Sequence, residues 1–160
     1  MAQPSTNLAI TIDPLKKVSK ALFQHGKAHL ADPESVDKTF DRLVAGVHID
    51  NALELFLKSY GFQHDIRQCE RKQVPELLTD LNSFLPELTQ SAGNLRMFHN
   101  LRNGAYHQGT SLDDHTINWG IAIIESFMDA VERREAIPKT MTDGGYPIGV
   151  DDVKRNRANK

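Results

Sequence analysis

Apolar residues in this chain recur at three- and four-residue intervals along most of its length, and no stretch alternates with period two over a convincing length. Three-to-four spacing lines apolar side chains along one face of an α-helix, whereas a half-buried strand needs strict alternation. One segment carries Leu15, Val18 and Leu22, with Phe23 and Leu30 beside the stripe. The next carries Phe40, Leu43, Val44, Val47, Leu53, Phe56, Leu57 and Tyr60, and a shorter one Leu77, Leu78, Leu81 and Leu85. The last carries Ile117, Ile121, Ile124, Met128 and Val131, with Ile123 and Phe127 on a neighbouring face. The expected fold is all-α, an antiparallel bundle of four to five helices.

Helix punctuation sets the expected boundaries. Asp13-Pro14 reads as an N-cap followed by Pro at the first helical position, and Asp32-Pro33 repeats that signal for a long second helix. Gly61 reads as a left-handed stop, and residues 62–73 as a polar connection. Pro75 opens the shorter helix, which stops near Pro86. Ser91 and Gly93 weaken a continuous helix over 87–93, and the helical pattern resumes from Asn94 to about Gln108, with Gly109 as terminator. Ser111-Leu112-Asp113-Asp114 resembles a capping box for the last helix, which ends near Pro138. The expected organisation is a flexible N-terminus over 1–12, one helical domain over 13–138 and a flexible tail over 139–160. The tail's basic end is Lys154, Arg155, Arg157 and Lys160.

Composition narrows the function classes. A chain of 160 residues with 39% hydrophobic and 25% charged residues can bury one real core. Lys and Arg number 19 against 21 Asp and Glu, a net charge of −2, which argues against a broadly basic nucleic-acid coat and gives no reason to expect an acidic membrane surface as partner. Any contact with nucleic acid must then be local or made with a partner's help. The single cysteine, Cys69, can form neither an intrachain disulfide nor a cysteine-based zinc cage, which fits a reducing cytoplasm. The N-terminus lacks the basic region and apolar core of a signal peptide, and no apolar run approaches the roughly 20 residues a membrane span needs. No Gly-rich phosphate loop is present, and no cofactor is expected.

The chemistry-bearing residues concentrate in Arg102-Asn103-Gly104-Ala105-Tyr106-His107. A helix turns about 100° per residue, so Phe98, Leu101 and Ala105 fall within roughly 60° of one another and mark an expected core side. On that reading Arg102 borders the core, about 40° from Phe98, while His99, Asn103 and His107 form a ladder directed away from it. Gly104 is anomalous, since Gly costs about 1 kcal/mol relative to Ala inside a helix, and close approach of another helix is one reason to tolerate it. A dimer seam at this surface follows as an expectation.

Other candidates carry plainer readings. His25 and His29, one turn apart, have the spacing to pair on a metal, but no carboxylate stands at convincing spacing, and the pair reads as a solvated helix face. No metal site is expected. Glu54 and Lys58 read as an i, i+4 surface pair, with Glu54 a candidate to line a cleft. His48, His64 and His115 have no nameable partner, and the basic tail reads as a solvated terminus.

The segment Leu101-Arg102-Asn103-Gly104-Ala105-Tyr106-His107-Gln108-Gly109 resembles the signature of the HEPN superfamily, small helical-bundle domains. That signature is Arg, four to six residues, then His, commonly with a polar residue such as Asn after the Arg. The stretch Ile49 to Tyr60 also resembles the family's long helix, and the resemblance spans roughly residues 14–135. The chain departs from the toxin-subgroup spelling Arg-x3-Tyr-x-His, because Tyr106 adjoins His107, which leaves the subfamily and any cognate antitoxin open. The resemblance implies a HEPN-like fold and a metal-independent endoribonuclease of toxin or phage-defence type, with RNA as substrate. Its composite site would lie at a homodimer interface, with an antitoxin or regulatory protein as a further partner. His107 would serve as base or acid, Arg102 would hold the phosphate, and Asn103 would orient the imidazole or contact RNA. Tyr106, His99 and Glu54 would contribute to substrate binding. The competing implication is a non-catalytic HEPN-like module that binds RNA or nucleotide, or merely dimerises.

Overall fold

A computed structural model of the chain describes residues 6–32 and 36–137. All regular structure among them is helical: α1 (Thr6–Ala31), α2 (Lys38–Gln63), α3 (Val74–Asp80), α4 (Leu88–His107) and α5 (Asp114–Ala136), with a 3-10 turn over Cys69–Arg71. None of the helices is long and apolar enough to cross a membrane. The expected tail over 139–160 lies outside the described residues.

The helix α2 is the hub. Its Ile49, Leu53, Phe56, Leu57 and Tyr60 are buried against residues from every other helix, including Phe23, Leu77, Leu95, Phe98, Ile124 and Phe127. Cross-helix contacts fix the directions. Ser19 on α1 donates to the Ala52 carbonyl while His29 lies by Asp41, so α1 and α2 run antiparallel. Lys16, Lys20 and Lys27 pair with Glu135, Glu132 and Glu125, so α1 and α5 are antiparallel too. The pair Arg134–Glu87 at one end and the Phe98–Trp119 ring contact further along make α4 antiparallel to α5. Gly120 lets these two helices meet, since a Cβ there would fall 2.0 Å from the Phe98 ring.

Several boundaries differ from the sequence expectation. The helix α1 runs back to Thr6, and Pro14 lies inside it rather than at its start. Proline removes one backbone donor and so interrupts a single i→i−4 bond, and residues 6–12 contain no further breaker. Gly61 does not stop α2. It is buried and helical because a Cβ there would meet the Cys69 Cβ at 2.8 Å, and the reversal falls to Asp65 and Gln68, both with positive φ. The cap of α2 is Asp37, whose carboxylate accepts from the Thr39 and Phe40 amides. Helix α4 continues unbroken through Ser91 and Gly93 from Leu88. The cap of α5 is Asp113, accepting from the Thr116 amide, in place of Ser111. Val18 and Phe40 are exposed. Gly109, at φ 64, ends the α4 region as expected.

The two kinds of glycine predict opposite responses in urea unfolding. Gly120→Ala should lose about 1–3 kcal/mol by overpacking against Phe98. Gly93→Ala, where a Cβ meets nothing within 4 Å, should gain up to about 1 kcal/mol.

Candidate active site

Stepping along α2 by four, three and four residues gives Gly46, Asp50, Leu53 and Leu57, one stripe, and all four are buried. The stripe therefore carries a carboxylate into the core. Asp50 is fully buried. Its two carboxylate oxygens lie 2.9 and 3.1 Å from His99 Nδ1, and Oδ2 also accepts from Arg102 Nη2. The Asn103 side-chain amide meets His99 Nε2 at 2.8 Å. With the amide donating to Nε2, the imidazole proton sits on Nδ1 and is donated to Asp50. The result is a chain of four side chains, Asn103 to His99 to Asp50 to Arg102, spanning α4 and α2. Gly46 lies beside the Arg102 stem, and a Cβ there would be in ordinary contact with Arg102 Cγ at 3.6 Å but would crowd Leu112 at 3.1 Å.

The direction of α4 is the main correction to the sequence reading. Its fully buried residues are Leu88, Leu95 and Phe98, with His99 only 4% exposed, whereas Leu101 is 45% exposed. Taking Leu101 as a core marker rotates the assigned face by roughly 80°. With the true orientation Arg102 lies near the centre of the inward face rather than at its margin. His99 does not belong to an outward ladder, and Asn103 is half-buried beside it. The outward position holds for His107, the last residue of α4, which is exposed and touches the Tyr106 ring edge-on at 5.7 Å. Tyr106 is itself exposed. Arg102 and His107 are five residues apart, about 140° around the helix, and one chain does not bring them together. Glu54 is held by Lys58 at 2.6 Å, as an i, i+4 pair.

Asp50 is the site residue that sequence reasoning passed over. The available signal was its place on the apolar stripe, seven residues before Leu57. A carboxylate there must be paired, and a cation on a facing helix is the obvious partner.

A second cluster forms where α1 meets α2. His25 and His29 are joined by His48, with ring centroids 4.7, 4.8 and 5.6 Å apart. Burial, then the neighbouring His25 and His29, pushes the His48 pKa below its ordinary value. His64, also without an expected partner, stacks on Phe84 at 4.4 Å. No protein-family model matches the chain, and neither a curated protein nor a solved structure matches it.

Removing the carboxylate strands a buried cation and an imidazole. Asp50→Ala should therefore lose about 3–5 kcal/mol of stability. In a double-mutant cycle, Asp50→Ala with Arg102→Ala should cost clearly less than the sum of the two single changes, read by urea denaturation.

Proposed function

We propose that the chain is a metal-independent endoribonuclease of the HEPN kind, acting in the cytoplasm as a toxin or phage-defence effector under a regulatory partner, and cutting RNA in a site completed by a second copy. The observation that carries this reading is the division of the motif. Arg102 is pinned from beneath by Asp50, while His107 stands exposed at the end of the same helix. The two anchor points face different ways, so a cleft holding both a phosphate cation and acid–base groups needs a partner surface.

The outer side of α4 suits such a partner. Met97 and Leu101 are half exposed at i, i+4 spacing, and Gly104 follows three residues on, where a Cβ would meet open space. A groove of ≈ 380 Å³ beside them is lined by Asn94, Met97, Leu101, His115, Thr116 and Trp119. Apolar side chains next to a thinned helix surface let a second α4 pack closely. Packed parallel about a two-fold axis along this ridge, the two copies would bring their α4 C-terminal ends, and hence two His107 side chains, toward one cleft.

The chemistry follows from those groups. One His107 takes the proton of the ribose 2′-OH, whose oxygen attacks phosphorus. As the P–O5′ bond breaks, the second His107 protonates the leaving oxygen. General acid–base help of this kind is worth about 10²–10⁴ in rate. The Arg102 guanidinium gives Nη2 to Asp50 and has its Nε buried, so its remaining Nη hydrogens are the donors left to stabilise the charged phosphorane. Asn103, held by His99, borders the same end of the helix. The products are a 2′,3′-cyclic phosphate and a 5′-OH.

One observation favours a second reading, a non-catalytic module that binds RNA or dimerises. The Asp50–Arg102 ion pair offsets the charge a phosphate would seek. Kinetics separate the two. His107→Ala, on an exposed side chain, should lower cleavage by about 10²–10⁴ with an unchanged melting temperature, and should relieve growth arrest on expression. Cleavage should persist in EDTA and spare DNA. If the wild-type chain cuts no RNA, or His107→Ala cuts equally well, the catalytic reading fails.

The seam makes its own prediction. The wild-type chain should sediment as a dimer and Leu101→Glu as a folded monomer. A monomeric wild type contradicts the composite site.

A further inference from the structure

We propose that His25, His29 and His48 form a binding site for one transition-metal dication, with Zn²⁺ the best match, between α1 and α2. The site is independent of the ribonuclease reading. His48 and Asp50 are two residues apart on α2, about 200° around the helix, so the imidazole cluster and the Asp50 network occupy different sides of it.

The backbone arrangement supplies the ligand set. His25 and His29 are one turn apart on α1, which puts both imidazoles on one face. Between them Gly26 is buried against α2. A Cβ there would meet Ile49 Cγ1 at 2.8 Å, the Ala45 carbonyl at 3.2 Å and His48 Cβ at 3.2 Å. The missing side chain is therefore what allows α2 to come close enough for His48 to join the pair. One ring nitrogen from each histidine lies within 4.8 Å of the others. Tetrahedral zinc at about 2.0–2.1 Å from each nitrogen asks for N···N separations of roughly 3.3 Å. The exposed His25 and the half-buried His29 and His48 would close that gap by small side-chain rotations of all three rings.

Two further features point to a ligand rather than to accidental packing. His48 Nδ1 is buried and has no hydrogen-bond partner, an unsatisfied polar atom that normally costs stability. A metal, or a reorientation toward one, gives this ring a use for its nitrogens. His29 Nδ1 also lies 3.9 Å from the Asp41 carboxylate, longer than a hydrogen bond but close enough for a small ring rotation to make one. Metal-binding imidazoles commonly give their second nitrogen to a carboxylate, which fixes the ring and leaves Nε2 for the metal.

The donor set selects the ion. Three neutral imidazoles suit Zn²⁺, Cu²⁺ or Ni²⁺ and discriminate against Mg²⁺ and Ca²⁺, which require oxygen ligands. Three protein ligands leave a fourth position for water. A bound ion would clamp the end of α1 to α2.

Calorimetric titration of ZnCl₂ into the untagged full chain, stripped with EDTA and dialysed, tests the site. The expected result is one Zn²⁺ per chain with a dissociation constant on the order of 1 μM or tighter, a raised melting temperature, and no response to Mg²⁺. His25→Ala and His48→Ala should each weaken binding by at least about tenfold, while His64→Ala and His115→Ala should bind like wild type. Because His25 is exposed, its variant remains a folded test even where His48→Ala loses structure, as far-UV circular dichroism would report. Co²⁺ should give the visible bands of a tetrahedral nitrogen site. Absence of Zn²⁺ uptake by the wild type, or equal affinity in His25→Ala, overturns the proposal.

Discussion

A carboxylate with no solvent exposure can persist only if its charge is met, and Asp50 meets this demand by drawing in two side chains from one facing helix. That requirement fixes the rotation of α4. Arg102 and His99 must both point at α2, and three residues of helix separate them by only about 60°. Once they are committed, Asn103 follows onto His99, Phe98 turns into Gly120, and Leu101 and His107 turn outward. Well-packed apolar residues in place of a buried ion pair often hold a fold equally well. What the ionic network adds is a defined azimuth, and with it a defined outer face.

The fold class was legible because helical periodicity is written redundantly, many times per helix. The motif was legible because its residue types are chemically unusual together. Orientation was harder. On α4 the apolar residues are sparse, so one misplaced marker, Leu101, turned the whole helix. The correct marker was polar: His99 is buried because Asp50 lies opposite, and a pairing across 49 residues of sequence leaves no local trace. The same holds for His48, which joins His25 and His29 only through the approach that Gly26 permits. Glycine was the residue most easily misread. Gly61 looks like a stop and is a contact with Cys69, while Gly104, with open space beside it, looks like a contact that one chain does not make.

The helix α2 thus faces two separate polar clusters. Toward α4 it offers one buried carboxylate that organises a cationic motif. Toward α1 it offers an imidazole that completes a nitrogen cluster. The first arrangement leaves Arg102 tied to Asp50 and His107 exposed at the end of the same helix, and on the proposed ribonuclease reading a single chain holds an incomplete set of groups. A second copy against the Met97–Leu101–Gly104 ridge would supply the missing acid or base without any change in the fold. On that reading a held inner side and an available outer side are complementary, since a cation that is to meet a phosphate gains from being pre-positioned.

The proposed cleft takes one His107 from each of two chains. Mixing wild-type chain with increasing shares of His107→Ala chain, allowing subunits to exchange, and measuring RNA cleavage at constant total protein decides the matter. If each cut needs both imidazoles, activity falls as the square of the wild-type fraction. A linear fall would mean that each chain acts alone, and would contradict the account.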